Sequence, residues 1–370
     1  MRPTWDVVVV GAGPAGAAAA REASTRGART LLLEHAQLPR YKRCGGGLIG
    51  PSQQALATAG LDVTALSKDH VDRVSFTSHG RRHFTRSSAA FLPMVLRSEL
   101  DSALVDAAVT AGTEVRTGVK VGAYVEEDGV VTLGTSIGPV WGATVVAADG
   151  SASRGAAYVG VRCDQVDLGL EAELPTPAGS DWAGHVLLDW GPVPGSYGWV
   201  FPKGDTLTVG VIGSRDAGEP LRDYYRAFVA SLGLDLSTAV HDGGHLTRVR
   251  APGSPLQKGK VLVAGDAAGL LEPWTREGIS FALRSGKLAG AAAAGGPDYT
   301  AAVEAELGAE VAAGRRALKA FTHRPGVVHT VMRHLPPMWP LFVDLVSGRT
   351  TMAEQLERRR VRWLVASCGG

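Results

Sequence analysis

Asp6-Val-Val-Val-Val-Gly11-Ala-Gly13-Pro14-Ala15-Gly16, with Glu34 closing the later run Leu31-Leu32-Leu33, decides how this chain folds. Val7 to Val10 form a continuous apolar run of the kind buried on both faces of a parallel sheet. The glycines permit a tight turn, close approach of backbone to a pyrophosphate, and tight packing of the helix through Ala17–Ala20 on the sheet. The N-terminus of that helix faces the phosphates, where amide groups and partial positive charge offset an anion. Glu34 falls where a carboxylate accepts hydrogen bonds from a ribose diol. Strand, helix and acid in register describe a dinucleotide site. A second match to the glycine pattern, Gly45-Gly46-Gly47-Leu48-Ile49-Gly50, follows no apolar strand and is not read as one.

The 370 residues suffice for two or three structural units sharing a large core. No apolar run reaches the ~18 residues a spanning helix needs, and the chain opens on a strand containing Asp6 rather than on a basic, apolar leader. A cytoplasmic protein is expected. Cys44, Cys163 and Cys368 are too few and too scattered for a disulfide framework or a metal site. A net charge of +2 with no basic stripe interleaved with aromatics gives nucleic acid nothing to bind. Arginine far outnumbers lysine, a bias that points to a GC-rich bacterial genome and says nothing about chemistry.

The first strand-helix-strand unit ends at Glu34, and Arg97-Ser-Glu-Leu-Asp101 opens a helix running through Ala111 to a short strand at Gly112–Arg116. Val119–Val125 and Val130–Leu133 flank an Asp128-Gly129 hairpin turn, and Val145-Val-Ala-Ala-Asp149-Gly150 is another buried strand. Val71–Phe84 and Leu168–Gly213 alternate apolar and polar residues and read as one antiparallel sheet assembled from two insertions. Val261-Leu-Val-Ala-Gly265-Asp266 returns to the buried style, with helix expected from Glu277 to Ala294. The expected fold is α/β: a discontinuous Rossmann-type nucleotide domain (1–70, 91–160 and 256–298), an inserted antiparallel β-sheet substrate domain (71–90 and 161–255), and a helical C-terminal region (299–370). The tail is expected to break at Pro325, Pro336-Pro337 and Pro340 and to end in the charged run Glu354–Arg362.

Gly265-Asp266 after a strand suits a flavin site, which needs a carboxylate for the ribityl hydroxyls and a helix N-terminus near the isoalloxazine ring. The Gly11/Gly13/Gly16 turn with Glu34, then Asp149-Gly150, then Gly265-Asp266-Ala-Ala-Gly-Leu-Leu-Glu-Pro273-Trp-Thr-Arg276-Glu277-Gly278-Ile279, resemble in that order the FAD signatures shared by flavin monooxygenases, flavin halogenases and geranylgeranyl reductases. Pro39-Arg40-Tyr-Lys42-Arg43-Cys44-Gly45-Gly46-Gly47 looks like the cysteine-glycine segment of geranylgeranyl reductases. Tyr197-Gly-Trp199-Val-Phe201-Pro202-Lys203 looks like their substrate-cavity motif. The resemblance covers about residues 5–290. It departs at Arg276, where many relatives have glycine, and in a C-terminal region shorter than that of larger members.

The resemblance implies that Gly11, Gly13, Pro14, Ala15, Gly16, Glu34, His35, Arg40, Cys44, Gly45, Arg97, Val121, Asp149, Gly150, Asp266, Gly278 and Ile279 hold FAD. It implies that Gly46, Tyr197, Trp199, Phe201 and Pro273 meet substrate, and that Cys44, Tyr197 and Trp199 act in catalysis. Several residues have plainer readings. Asp266 is also a good helix N-cap, Arg97 a solvated helix start, and Asp149-Gly150 ordinary turn chemistry. Cys44 is either a small filler in a glycine-rich turn or a proton donor. Arg40, Lys42 and Arg43 are either a solvated loop or a site for a polyanionic headgroup. Tyr197, Trp199 and Phe201 share one strand face, as sheet core or as the wall of an apolar cavity.

The expected activity is FAD-dependent saturation of carbon-carbon double bonds in an isoprenoid, with hydride delivered from reduced flavin to a prenylated small molecule or lipid. A single dinucleotide fold leaves the electron donor transient, NADPH or a ferredoxin-like carrier. The alternative is a monooxygenase or halogenase acting on a secondary metabolite. Tyr197 stands where the similar halogenase motif has tryptophan, which weighs against the halogenase. The apolar tail at Val327–Val346 is either a peripheral membrane contact or core helix.

Overall fold

This computed structural model describes residues 4–358, 361, 362, 365, 366 and 369. Cys368 and, from the charged run, Arg359 and Arg360 lie outside the described residues. The chain opens with β1 (Trp5–Val10), α1 (Pro14–Thr25) and β2 (Thr30–Leu33), followed by the short helices α2 (Gly50–Thr58) and α3 (Val63–Leu66). Two long strands, β3 (Ser67–Ser78) and β4 (Arg81–Val95), lead into α4 (Arg97–Thr110), β5 (Glu114–Arg116), the meander β6 (Val121–Glu127), β7 (Val130–Thr135), β8 (Gly138–Ala147), and α5 (Arg154–Val159). Next come β9 (Cys163–Pro175), β10 (His185–Trp190), β11 (Tyr197–Lys203), β12 (Thr206–Ser214), α6 (Glu219–Ser231) and β13 (His241–Arg250). The pair β14 (Gln257–Lys258) and β15 (Val261–Val263) precedes α7 (Ile279–Ala293). The tail holds α8 (Tyr299–Val303), α9 (Ala309–His323), α10 (Pro325–His334), α11 (Met338–Val346) and α12 (Met352–Glu357).

These elements build two sheets. The first runs β14-β15-β8-β1-β2-β5, with the β6-β7 hairpin attached through β8. Its centre is parallel, and β1, β2 and β8 are covered on both faces, which is why they read as unbroken Val, Leu and Ala runs. α1 lies against α7 at very close range: a Cβ on Gly286 or Gly290 would fall 2.1 or 2.2 Å from the carbonyl oxygens of Ala15 and Ala19. The alanines of α1 and the glycines of α7 are therefore one packing device.

The second sheet runs β13-β9-β12-β11-β10-β3-β4. It is mixed, not antiparallel as its alternating pattern suggested, because β10 pairs with β3 in parallel. These two strands come from separate stretches of chain, so no tight turn forces them to run in opposite directions. One face packs Ala172, Leu174, Val200, Val209 and Val211 against Tyr225, Phe228 and Val229 of α6. The opposite face looks toward the first sheet, α10 and α11. Pro325 begins α10 and Pro336-Pro337 separate it from α11. Pro340, expected as a break, lies inside the first turn of α11, where a helix makes no use of the missing N–H. No helix among the described residues is long and apolar enough to cross a membrane.

Candidate active site

A cavity of about 1400 Å³ extends from the Gly11–Gly16 turn, past the 40–47 segment and β11, to α10 and α11. Gly11 and Gly16 make the turn possible. Gly11 has φ +97°, and a Cβ on Gly16 would lie 1.7 Å from the Gly11 carbonyl oxygen. Gly13 differs. It caps α1 with no side-chain hydrogen bond, and the atoms nearest a Cβ there would be the Nη2 atoms of Arg40 and Arg97, at 3.7 and 3.9 Å. The helix N-terminus and two guanidinium groups thus face one another across an open step.

Asp101 organises those cations. It is fully buried, takes Arg97 in a bidentate pair (2.8 and 3.0 Å) and holds Arg40 Nη1 at 3.1 Å. Burial works against the charge of Arg97, but Asp101 outweighs it and leaves the pKa above the usual arginine value. Arg40 Nε makes no hydrogen bond but lies 3.6 Å from Glu34 Oε2. Glu34, at the end of β2, accepts from the backbone N–H of Ala12 at Oε2 (2.8 Å) and from that of Ala36 at Oε1 (3.0 Å), with His35 Nδ1 also 2.7 Å from Oε1. It therefore braces the glycine turn while lining the cavity.

The other expected cofactor residues gather around this step. Pro14, Ala15, Val121, Asp149, Gly150, Asp266, Gly278 and Ile279 all line the cavity. Asp149 also accepts from Ser153 Oγ and the Arg154 N–H (2.9 Å), so its turn chemistry and its placement coexist. Asp266 caps no long helix: it sits in the short turn Gly265–Ala268, and α7 starts only at Ile279 with Gly278 as its cap. Two expected residues do not line the cavity. Gly16 is sealed behind the Gly11 carbonyl, and Pro273 packs beside Gly314 while its carbonyl accepts from Gln165.

The 41–47 segment crosses the open face of the second sheet. Tyr41 stacks on His241 with centroids 3.6 Å apart, and Arg43 Nη2 reaches the Asp242 carbonyl at 3.2 Å. Lys203 Nζ donates to the Cys44 carbonyl at 2.9 Å. A Cβ on Gly45 would fall 2.5 Å from the Phe201 ring, and Gly46, at φ +80°, accepts from the Val95 N–H. The glycine run is thus a close crossing over an aromatic ring. The half-buried Cys44 thiol lies against the Arg97 guanidinium. Tyr197, Trp199 and Phe201 form a ladder on one face of β11 with centroid spacings of 5.9 and 6.1 Å. Tyr197 donates its hydroxyl to the Thr275 carbonyl, and burial pushes its pKa up.

Sequence reasoning passed over several cavity residues. His245 of β13 lies 3.2 Å from Lys42 Nζ. Burial first, then the Lys42 charge, pulls His245 down to about 4, and burial also lowers Lys42. Glu171 lines the cavity from β9. Arg276, at φ +57°, stands in a left-handed conformation that glycine adopts more easily, but its guanidinium is buried against Asp167 (3.1 Å) and lies over Tyr197.

Comparison with known proteins decides what this geometry belongs to. Residues 4–173 match the FAD binding domain family. The digeranylgeranylglycerophospholipid reductase of Methanocaldococcus jannaschii is 30% identical, over 78% of this chain and 77% of that protein. The chain belongs to the geranylgeranyl reductase family. It is an FAD-dependent oxidoreductase. A geranylgeranyl bacteriochlorophyll reductase-like protein from Thermoplasma acidophilum shares its fold with a TM-score of 0.75 at 20% identity, covering 99% of this chain and 96% of that one. A flavin-dependent brominase shares the fold equally, with a TM-score of 0.75 at 19% identity and coverage of 99% and 98%. The residues present fit FAD: the clear step above Gly13, faced by two guanidinium groups and a helix N-terminus, suits a pyrophosphate.

Proposed function

We propose that this reductase saturates carbon-carbon double bonds along a prenyl chain. The observation that carries the reading is the continuity of one cavity from the Gly13 step, past Cys44 and the Tyr197-Trp199-Phe201 ladder, to the apolar side chains Val328, Met332, Leu341 and Phe342. A polar mouth leading to an apolar end suits a long hydrocarbon better than a compact polar metabolite. Arg40 and Arg97 would hold the pyrophosphate, Glu34 the adenosine ribose, and Asp266 the ribityl chain. In this reading the first sheet with its helices binds the nucleotide, and the second sheet with α10 and α11 binds substrate.

Reduced FAD, when bound, supplies a hydride. The protein's part is to hold the alkene flat against the aromatic ladder, keep water out and bring a proton to the second carbon. An unactivated trisubstituted alkene accepts hydride poorly, so that proton must arrive before or with it. The two electrons come from a donor that visits transiently, either NADPH as one hydride or a ferredoxin-like carrier in two one-electron transfers. Anaerobic turnover of dithionite-reduced holoprotein with a panel of prenyl alcohols, diphosphates, quinones and glycerolipids, read by mass, tests the proposal. A gain of two hydrogens per bond is expected. Product that forms only with oxygen and carries oxygen or halogen would overturn it.

A further inference from the structure

Strand β9 carries three carboxylates on one face, and of these Glu171 lines the cavity. Asp167, Glu171 and Glu173 share one face, with Gly169 between the first two, and all three are buried. Two have cations: Arg276 Nε is 3.1 Å from Asp167, and Lys203 Nζ is 3.6 Å from Glu173. Among the described residues Glu171 has no ion pair, and its Oε1 has no hydrogen-bond partner. The backbone N–H of Cys44 favours the charged form of this carboxyl group.

The register puts Glu171 beside the aromatic ladder. Trp199 of β11 stands opposite Gly210 of β12, Gly210 opposite Glu171, and Glu171 opposite Gly243 of β13. Directly opposed residues share a face, so Trp199 and Glu171 lie in one lateral row with only a glycine between them. A Cβ on Gly210 would fall 2.4 Å from Trp199 Cζ2 and 2.9 Å from Glu171 Cβ, so the indole fills the space above the glycine and reaches the acid's flank. A carboxyl removed from water without a cation of its own is favoured as the neutral acid. Burial, the largest influence on Glu171, raises its pKa; Lys203 opposes the rise, Glu173 adds to it and Arg43 opposes it.

From this row we infer that Glu171 is the acid that protonates the alkene carbon not attacked by hydride. The inference rests on the reductase reading. The O–H bond of Glu171 breaks and leaves its electron pair on the carboxylate. The alkene π pair forms the new C–H bond to that proton, and the hydride fills the carbon left electron-poor. The carboxylate is then opposed by Lys203 and Arg43 and regains a proton from water after product leaves. A carboxylic acid is intrinsically a stronger acid than a thiol, which suits an alkene this weakly basic.

Glu171→Gln keeps the size and an acceptor for the Cys44 amide but has no acidic proton. FAD-loaded wild type and variant, reduced without oxygen, are mixed with geranylgeranyl diphosphate, and flavin reoxidation is followed across pH. Equal FAD content and equal flavin reduction potential are expected, with reoxidation about 100-fold or more slower in the variant. Glu171→Asp, with the proton on a shorter arm, recovers part of the rate. The wild-type rate falls as pH rises through the acid's pKa and the Gln variant loses that limb. The groups facing Glu171 are Lys203 of β11, Glu173 of β9, and Tyr41 and Arg43 of the crossing segment. Infrared spectra at neutral pH supply a readout independent of turnover: a protonated-carboxyl band present in wild type and absent from Glu171→Gln. A wild-type rate in Glu171→Gln, or no such band, overturns the inference while leaving the reductase reading standing. Failure of wild type with every prenyl probe removes both.

Discussion

Gly13 and Gly16 belong to one turn, yet substitution should do different things at each. A side chain at Gly16 would strike the Gly11 carbonyl at 1.7 Å, so Gly16→Ala should cost folding itself. At Gly13 the nearest atoms are guanidinium nitrogens at 3.7 and 3.9 Å, so Gly13→Val should fold and fill the step meant for pyrophosphate. Purified Gly13→Val is expected to unfold within a few degrees of wild type and to carry less than about a tenth of its FAD, each tenfold loss of affinity being roughly 1.4 kcal/mol. Visible absorbance and a thermal scan check both. The glycines and Glu34 were legible in sequence because their spacing is set by backbone geometry. Glu171 and His245 were not: each stands beside residues far away in the chain, and a charged residue at alternate strand positions reads as a solvent face until the fold shows what covers it.

The strands β9, β11 and β12 act together because of what they put on one face. The Tyr197-Trp199-Phe201 spacing made the ladder readable from sequence, and it left core or cavity wall undecided. The second sheet's mixed pairing was not readable, since nothing local sets the relative direction of β3 and β10. Trp199→Ala should retain at least about half the wild-type FAD while alkene reduction falls tenfold or more, because the indole walls the cavity beside Glu171 rather than touching the Gly13 step. Loss of flavin in proportion to activity would make it a packing residue instead. On the neighbouring strand, His245 is held near a pKa of about 4 against an ordinary 6.5, facing Lys42, Arg43, Arg97 and Asp266. A base whose folded pKa is depressed is penalised when it must take up a proton, so stability is lost as pH falls from about 6.5 toward 4. Thermal unfolding of His245→Gln should lose less over that window than wild type. Equal slopes would contradict the assignment.

At the scale of the molecule, α10 and α11 wall the cavity with Val327 at its exposed rim, and Leu335 stands exposed between the two helices beside Pro336 and Pro337. We propose that this edge rests on a lipid surface, with Arg324, Arg333 and His334 nearby for anionic headgroups. Flotation with phosphatidylglycerol vesicles should fall several-fold in Leu335→Asp while reduction of a detergent-dispersed prenyl alcohol is unchanged; undiminished flotation would count against this edge. The nucleotide half was legible from its motifs, whereas the meeting of two sheets and two C-terminal helices around one cavity needed the structure, because no short stretch of sequence encodes it. The most direct test of that arrangement is electron stoichiometry. Holoprotein reduced to the two-electron state is mixed under argon with geranylgeranyl diphosphate, with flavin absorbance and product mass read from the same samples. One double bond saturated for each flavin reoxidised is the predicted result. Flavin that stays reduced until oxygen is admitted, with the prenyl chain unchanged in hydrogen content, would contradict it.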